Sequence, residues 1–202
     1  MQVDLVEETI PLRDGTLEVR RPRDSEALLD EEAFEHEEFL PYWAELWPSG
    51  TALAHHVSGR ALKGARVLEL GCGLGLPSLA AARAGGRVLG TDWSPHALEL
   101  LEDNARRNGA PLETALLDWR TPHWAIDRGP WDLVLAADVL YERHNALLML
   151  DLLPRLVGPG GEVWLGDPGR PPAAEFIARA AERFELGERV DGVVTLHLLT
   201  RR

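Results

Sequence analysis

The chain has 202 residues, 45% hydrophobic and 27% charged, with a formal net charge of −12 at pH 7. This composition suits one globular domain and excludes global disorder, a single cysteine (Cys72) excludes a disulfide scaffold, and no apolar run reaches the roughly 18–20 residues of a membrane span. Residues 1–46 carry 14 Asp and Glu against four Arg, net −10, while the rest is nearly neutral at −2, which leaves no basic face for nucleic-acid phosphates.

The start, Met1-Gln2-Val3-Asp4, has neither the basic region nor the apolar run of a signal peptide, so the expected location is cytoplasmic. Residues 5–12 and 16–20 read as a β-hairpin about Arg13-Asp14-Gly15. An acidic stretch at 30–38 follows, a solvated face on the usual behaviour of charge runs or, if it docks anything, a surface for a basic partner. Next comes the aromatic segment Pro41-Tyr42-Trp43-Ala44-Glu45-Leu46-Trp47-Pro48-Ser49-Gly50. Residues 1–46 hold too few apolar side chains to fold independently and are expected to be an appendage of hairpin and linker on a main domain at 47–202.

From residue 65 the pattern is strand, turn, helix, repeated. Residues 66–70 form a first strand, and a helix opens at Leu76-Pro77-Ser78 and ends at Gly85-Gly86. Residues 87–91 give the next strand. Ser94-Pro95 then starts a helix whose stripe is Leu98, Leu101 and Ala105, stopped by Gly109. Strands are predicted at 112–117, 131–137 and 162–166, a helix through Leu147, Leu148 and Leu152, and another over 176–184. The end, 184–189 then 193–200 about Asp191-Gly192, reads as a hairpin that puts an antiparallel strand into the sheet. Strands alternating with helices predict an α/β fold with a mostly parallel sheet covered on both faces.

The chemistry is concentrated at three strand ends. Glu69-Leu70-Gly71-Cys72-Gly73-Leu74-Gly75 joins a strand to a helix, where glycines admit a ligand to the backbone and the helix start offers N–H groups. A dinucleotide fingerprint would need a third glycine at position 76, which is Leu76, so that motif fails. Asp92, 17 residues after Gly75, ends the second strand where a carboxylate can accept from ribose hydroxyls. Asp118-Trp119 ends the third, where an acid can meet an adenine amino group beneath an indole. Cys72 is read as a packing residue, and the seven histidines show no metal-ligand spacing.

These motifs resemble the class I S-adenosylmethionine-dependent methyltransferases, and more narrowly the family 16 protein-lysine methyltransferases. The likeness rests on the Tyr42-to-Gly50 segment, the 67–75 glycine motif, Leu117-Asp118-Trp119, and residues 131–141 ending Ala137-Asp138-Val139-Leu140-Tyr141. It implies a Rossmann-like, seven-stranded, mostly parallel sheet with the last strand antiparallel. By position it further implies that Glu69 orders the loop near the methionine amino group, with Gly71, Gly73 and Gly75 lining it. Asp92 would take the ribose, Trp93 and Trp119 bracket adenine, and Asp118 touch its amino group. Trp47 and Ala137 would contact the methionine side, and Asp138 and Tyr141 face the nucleophile.

A neutral amine must attack, and a lysine amine is almost wholly protonated at pH 7. A dry pocket walled by Tyr42, Trp43, Trp47 and Tyr141 disfavours the ammonium, and Asp138 is expected to position the amine, its competing reading being a helix cap. The expected function is metal-free N-methylation of a protein lysine from S-adenosylmethionine, releasing S-adenosylhomocysteine. A small-molecule amine acceptor, or a non-catalytic module that binds the cofactor and recruits a partner, are the alternatives.

Overall fold

The computed structural model describes residues 4–25, 28 and 41–202, so the acidic stretch at 30–38 lies outside the described residues. An antiparallel hairpin, β1 (Leu5–Leu12) and β2 (Gly15–Pro22), opens the chain. A short 3-10 turn (Tyr42–Ala44) leads to α1 (Pro48–Ser58). Then come β3 (Arg66–Leu70), α2 (Leu76–Arg83), β4 (Arg87–Asp92), α3 (Pro95–Arg107), β5 (Glu113–Leu116), α4 (His123–Asp127) and β6 (Trp131–Ala137). The chain ends with α5 (Arg143–Leu156), β7 (Val157–Asp167), α6 (Pro171–Ala180), β8 (Phe184–Asp191) and β9 (Val194–Arg201).

Seven strands form one sheet in the order β5-β4-β3-β6-β7-β9-β8, in which β9 alone runs against the rest. The central strands β3 and β6 are largely apolar because both faces are covered, with Glu69 and Asp132 among the exceptions. Side chains alternate between two cores, as the strand period of two requires. Val67, Leu133 and Leu135 join Leu53, Leu79 and Leu101 on one face. Leu68, Leu70 and Val134 join Met149, Leu153 and Phe176 on the other.

The hairpin packs on the first of these faces, where Leu17 and Val19 are buried. Its backbone is held by α3. The fully buried Asn104 accepts from the Arg20 N–H at 2.7 Å and donates to the Arg20 carbonyl at 3.1 Å. No helix among the described residues is long and apolar enough to cross a membrane.

Two expected elements move. The helix expected at 176–184 is instead α6 at Pro171–Ala180: the prolines at Pro171 and Pro172 start it, Ala173, Phe176 and Ala180 form its buried stripe, and Phe184 is the buried first residue of β8. The strand expected at 162–166 runs longer, from Val157 to Asp167.

Candidate active site

Strand order reverses between β3 and β6, and the crevice beyond the carboxyl ends of the strands at such a switch point is where open α/β sheets hold ligands. A cavity of about 830 Å³ lies there. Every residue singled out from the sequence as a site residue lines it.

One wall is the glycine loop after β3. Gly71, Gly73 and Gly75 all have positive φ, +64°, +49° and +75°. A side-chain carbon on Gly71 would lie 3.1 Å from the Trp119 ring, and one on Gly73 would lie 3.1 Å from the Trp43 carbonyl oxygen. The loop is therefore pressed between two tryptophan-bearing segments, and any larger residue would fill the cavity's floor. Burial pushes the Cys72 thiol far above its ordinary range, consistent with a packing residue.

Two buried carboxylates brace this loop. Asp92 accepts from the Gly73 N–H at 2.9 Å through Oδ2 and from the Ser94 N–H at 3.0 Å through Oδ1. The Trp93 N–H also bonds this carboxylate, which with about four lone-pair sites keeps one for a ligand hydroxyl. Burial raises its pKa despite those bonds. Glu69 accepts from the Ser78 N–H at 2.8 Å, tying β3 to the first turn of α2, and burial lifts its carboxyl to about 8.

Asp118 sits more in the open. Arg120 approaches both its oxygens, at 3.0 and 3.1 Å, and the Arg120 N–H adds a third bond at 2.8 Å. The guanidinium holds this carboxyl below its usual range. Trp93 lies at the rim, 45% exposed, while Trp119 leans over Gly71.

The front wall is aromatic. The Tyr42 and Tyr141 rings lie 5.8 Å apart and Tyr42 meets Trp47 edge-on at 6.2 Å. The Trp47 indole donates to the Tyr42 carbonyl at 2.8 Å, closing the turn before α1. Trp43 stands apart from this trio: its ring tilts against His96 at 6.2 Å and its backbone lies on Gly73. Adjacent residues in a 3-10 turn point in different directions, which the linear sequence conceals.

Beyond β6, Asp138 is the only non-glycine among the described residues with positive φ, at +58°. Aspartate tolerates that region better than most residues but still at some cost, and such positions gather at functional sites. Its N–H donates to the Gly166 carbonyl at 2.9 Å. The α5 N-cap is Glu142, so Asp138 does not cap that helix. Gly166 also admits Ser49 from the start of α1, whose carbonyl would sit 3.0 Å from any side-chain carbon there.

Sequence reasoning missed Arg170. Its guanidinium bonds Asp138 Oδ1 and lies 3.6 Å from Asp167 Oδ2. Asp167 Oδ1 in turn accepts from the Gly169 and Arg170 N–H groups, both at 2.7 Å, and so fixes the turn that delivers Arg170. The one available signal was an arginine between a strand-ending acid and the double proline of a helix start. Arg120 and Asn145 are further cavity residues the sequence did not single out.

A family model described as lysine methyltransferase matches residues 37–178. The electron transfer flavoprotein beta subunit lysine methyltransferase of Xenopus laevis is 36% identical over 135 residues, covering 64% of this chain and 53% of that protein. Histone-arginine methyltransferase METTL23 of Homo sapiens is 35% identical over 106 residues, covering 50% and 56%. This chain thus spans about half the length of the curated relatives it matches. Among solved structures, ribosomal protein L11 methylase from Lactobacillus delbrueckii subsp. bulgaricus aligns with a TM-score of 0.61 at 27% identity, covering 78% of this chain and 81% of that one.

Proposed function

The chain belongs to this lysine methyltransferase family, and from that premise we propose that it transfers a methyl group from S-adenosylmethionine to a lysine side chain of a protein. The observation that carries the proposal is the convergence, in one cavity, of the glycine loop, the strand-end carboxylates, an aromatic wall and Asp138.

The residues present fit the cofactor. A volume of about 830 Å³ accommodates a nucleoside with an amino-acid tail and leaves room for an incoming side chain. Gly71 and Gly73 form a cradle that a side-chain carbon would fill. Asp92 has acceptor capacity left for ribose hydroxyls, Trp93 and Trp119 offer ring faces to adenine, and Asp118 offers a carboxylate near its edge. Glu69 and the loop N–H groups would hold the methionine end, with Trp47 and Ala137 beside it. When bound, the cofactor supplies a methyl group made electrophilic by a sulfonium.

The rest is done by the chain itself. Tyr42, Trp47 and Tyr141 narrow the approach and exclude water, which disfavours a charged acceptor amine. Their faces also attract cations and so hold the incoming group near the wall. Asp138 accepts a hydrogen bond from the amine and fixes its direction of attack. Alignment of this kind contributes on the order of 7–11 kcal/mol in model reactions. Burial keeps the Tyr141 phenol protonated, so it acts as a donor and a wall rather than a base. The strongly acidic 1–46 region suits an acceptor protein with a basic surface.

The test is methylation of total protein from cells lacking the enzyme, using labelled S-adenosylmethionine and mass spectrometry of the labelled species. Label on a protein lysine is the expected result. Label on arginine would favour the acceptor named for the METTL23 relative, and label in small molecules alone would overturn a protein acceptor. Asp138→Ala and Tyr141→Phe should lower turnover by 10-fold or more while S-adenosylhomocysteine affinity, by calorimetry, stays within a few fold.

A further inference from the structure

Two carboxylates, Asp138 and Asp167, and one guanidinium, Arg170, meet behind the aromatic wall. Asp167 is 1% exposed and Asp138 8%. Among the described residues the second oxygen of each carboxylate, Oδ2, accepts no hydrogen bond. Asp167 is stabilised by two backbone N–H groups, so the guanidinium's remaining task is Asp138. The arrangement is unusual for a site that must receive a basic side chain: a buried anion is already half-taken by a cation of the chain's own.

Resting on the methyltransferase reading above, we propose that Arg170 is a positioning residue for the transfer. Its guanidinium occupies Oδ1 of Asp138 and offsets part of the charge of the two carboxylates, so that Oδ2, which has no partner among the described residues, can receive an N–H of the acceptor amine while holding it less firmly as an ammonium.

The chemistry gives such a device a purpose. An acceptor ammonium has no lone pair; it must give one proton to solvent before nitrogen forms its new bond to the methyl carbon, whose former bonding pair stays on sulfur. A lone carboxylate at Asp138 would bind the ammonium well and hold its proton, trading rate for affinity. A carboxylate paired with Arg170 still accepts a hydrogen bond, yet the guanidinium's charge works against a second cation beside it. The turn fixed by Asp167 and the left-handed backbone of Asp138 both serve to bring these two side chains together.

The other charged and titratable groups about the cluster are Tyr141, Glu142 and His144 at the entry to α5, Asp92 across the cavity, Tyr42 on the front wall, and His197 on β9. Arg143 and Glu175 pair with each other between α5 and α6. Burial lowers His197 and raises Tyr141 from their ordinary values, so neither changes charge appreciably between pH 7.5 and 9.5, the window in which the amine is read.

The experiment compares the parent with Arg170→Gln and Arg170→Lys. Methylation of protein from cells lacking the enzyme is followed with tritiated S-adenosylmethionine from pH 7.5 to 9.5. Binding of n-butylamine, a mimic of the lysine end, is measured by NMR at pH 8 in the presence of S-adenosylhomocysteine. Arg170→Gln should methylate about tenfold more slowly at pH 7.5, with the deficit narrowing toward pH 9.5 as the acidic limb of the rate profile moves about one unit upward. It should nonetheless bind n-butylamine about tenfold more tightly at pH 8. Arg170→Lys keeps the charge and should keep the parent's limb. A uniform loss at every pH, or n-butylamine binding that weakens or stays unchanged in Arg170→Gln, would overturn the proposal. Parent protein that labels no acceptor at any pH would instead overturn the methyltransferase reading, and parent-like S-adenosylhomocysteine binding by the variants shows that they are folded.

Discussion

Gly75 has φ +75°, and a side-chain carbon built on it would lie 2.2 Å from Leu101 Cδ1. Two costs coincide there: the left-handed backbone disfavours any L side chain, and the buried α3 leucine has nowhere to go. Gly109, at φ +58°, carries only the first, since nothing lies within 4 Å of its missing side chain. Urea unfolding should therefore show Gly75→Ala losing about 3 kcal/mol or more and Gly109→Ala only about 1 kcal/mol. Comparable losses would mean that backbone conformation alone sets both. The glycine motif was legible in the sequence as a ligand-facing loop; its third glycine proves to serve α3 packing as much as the cavity. Arg170 was not legible, because its meaning depends on Asp138, 32 residues away, and on a backbone twist that no local pattern announces.

At the level of elements, the hairpin owes its place to α3. Asn104 satisfies both the N–H and the carbonyl of Arg20, and Asn108 accepts from the Glu18 N–H at 2.9 Å and donates to its carbonyl at 2.8 Å. Removing the buried amide leaves two backbone groups without these partners. Asn104→Ala should cost about 2–3 kcal/mol, with the Arg20 amide exchanging faster in hydrogen–deuterium measurements; an unchanged Arg20 amide would show that β2 is held without Asn104. The central strands could be read because burial on both faces leaves a nearly continuous apolar run, as in residues 133–137 of β6. α6 was misplaced because Phe176 and Phe184 look alike in sequence while one faces a helix core and the other begins a strand. Trp43 was grouped with Tyr42 and Trp47 for want of any sign of which way a 3-10 turn would send it.

For the molecule as a whole, the brace beneath the cavity sets a pH dependence. Glu69 is raised from about 4.5 to about 8 by burial, so between those values the folded chain holds a proton that the unfolded chain has released. Stability from this group is fully present below about pH 4.5 and falls as pH rises toward 8, by about 1.4 kcal/mol per pH unit at most. Asp92 is shifted the same way and adds to the trend. Glu69→Gln keeps an acceptor for the Ser78 N–H without the titration. Thermal unfolding between pH 5 and 8 should show a flatter profile for that variant and a higher Tm than the parent at pH 8. Parallel profiles would place the pH dependence elsewhere.

Gly166 joins two parts of the molecule that have different tasks. Its carbonyl anchors Asp138, and its bare α-carbon seats Ser49, next to the segment that bears Tyr42 and Trp47. Ser49, which follows the aromatic segment, and the backbone of Asp138 thus both rest on a single residue of β7. A side chain at Gly166 would push on Ser49 and strain the peptide that holds Asp138, so two sides of the cavity depend on one missing methyl group.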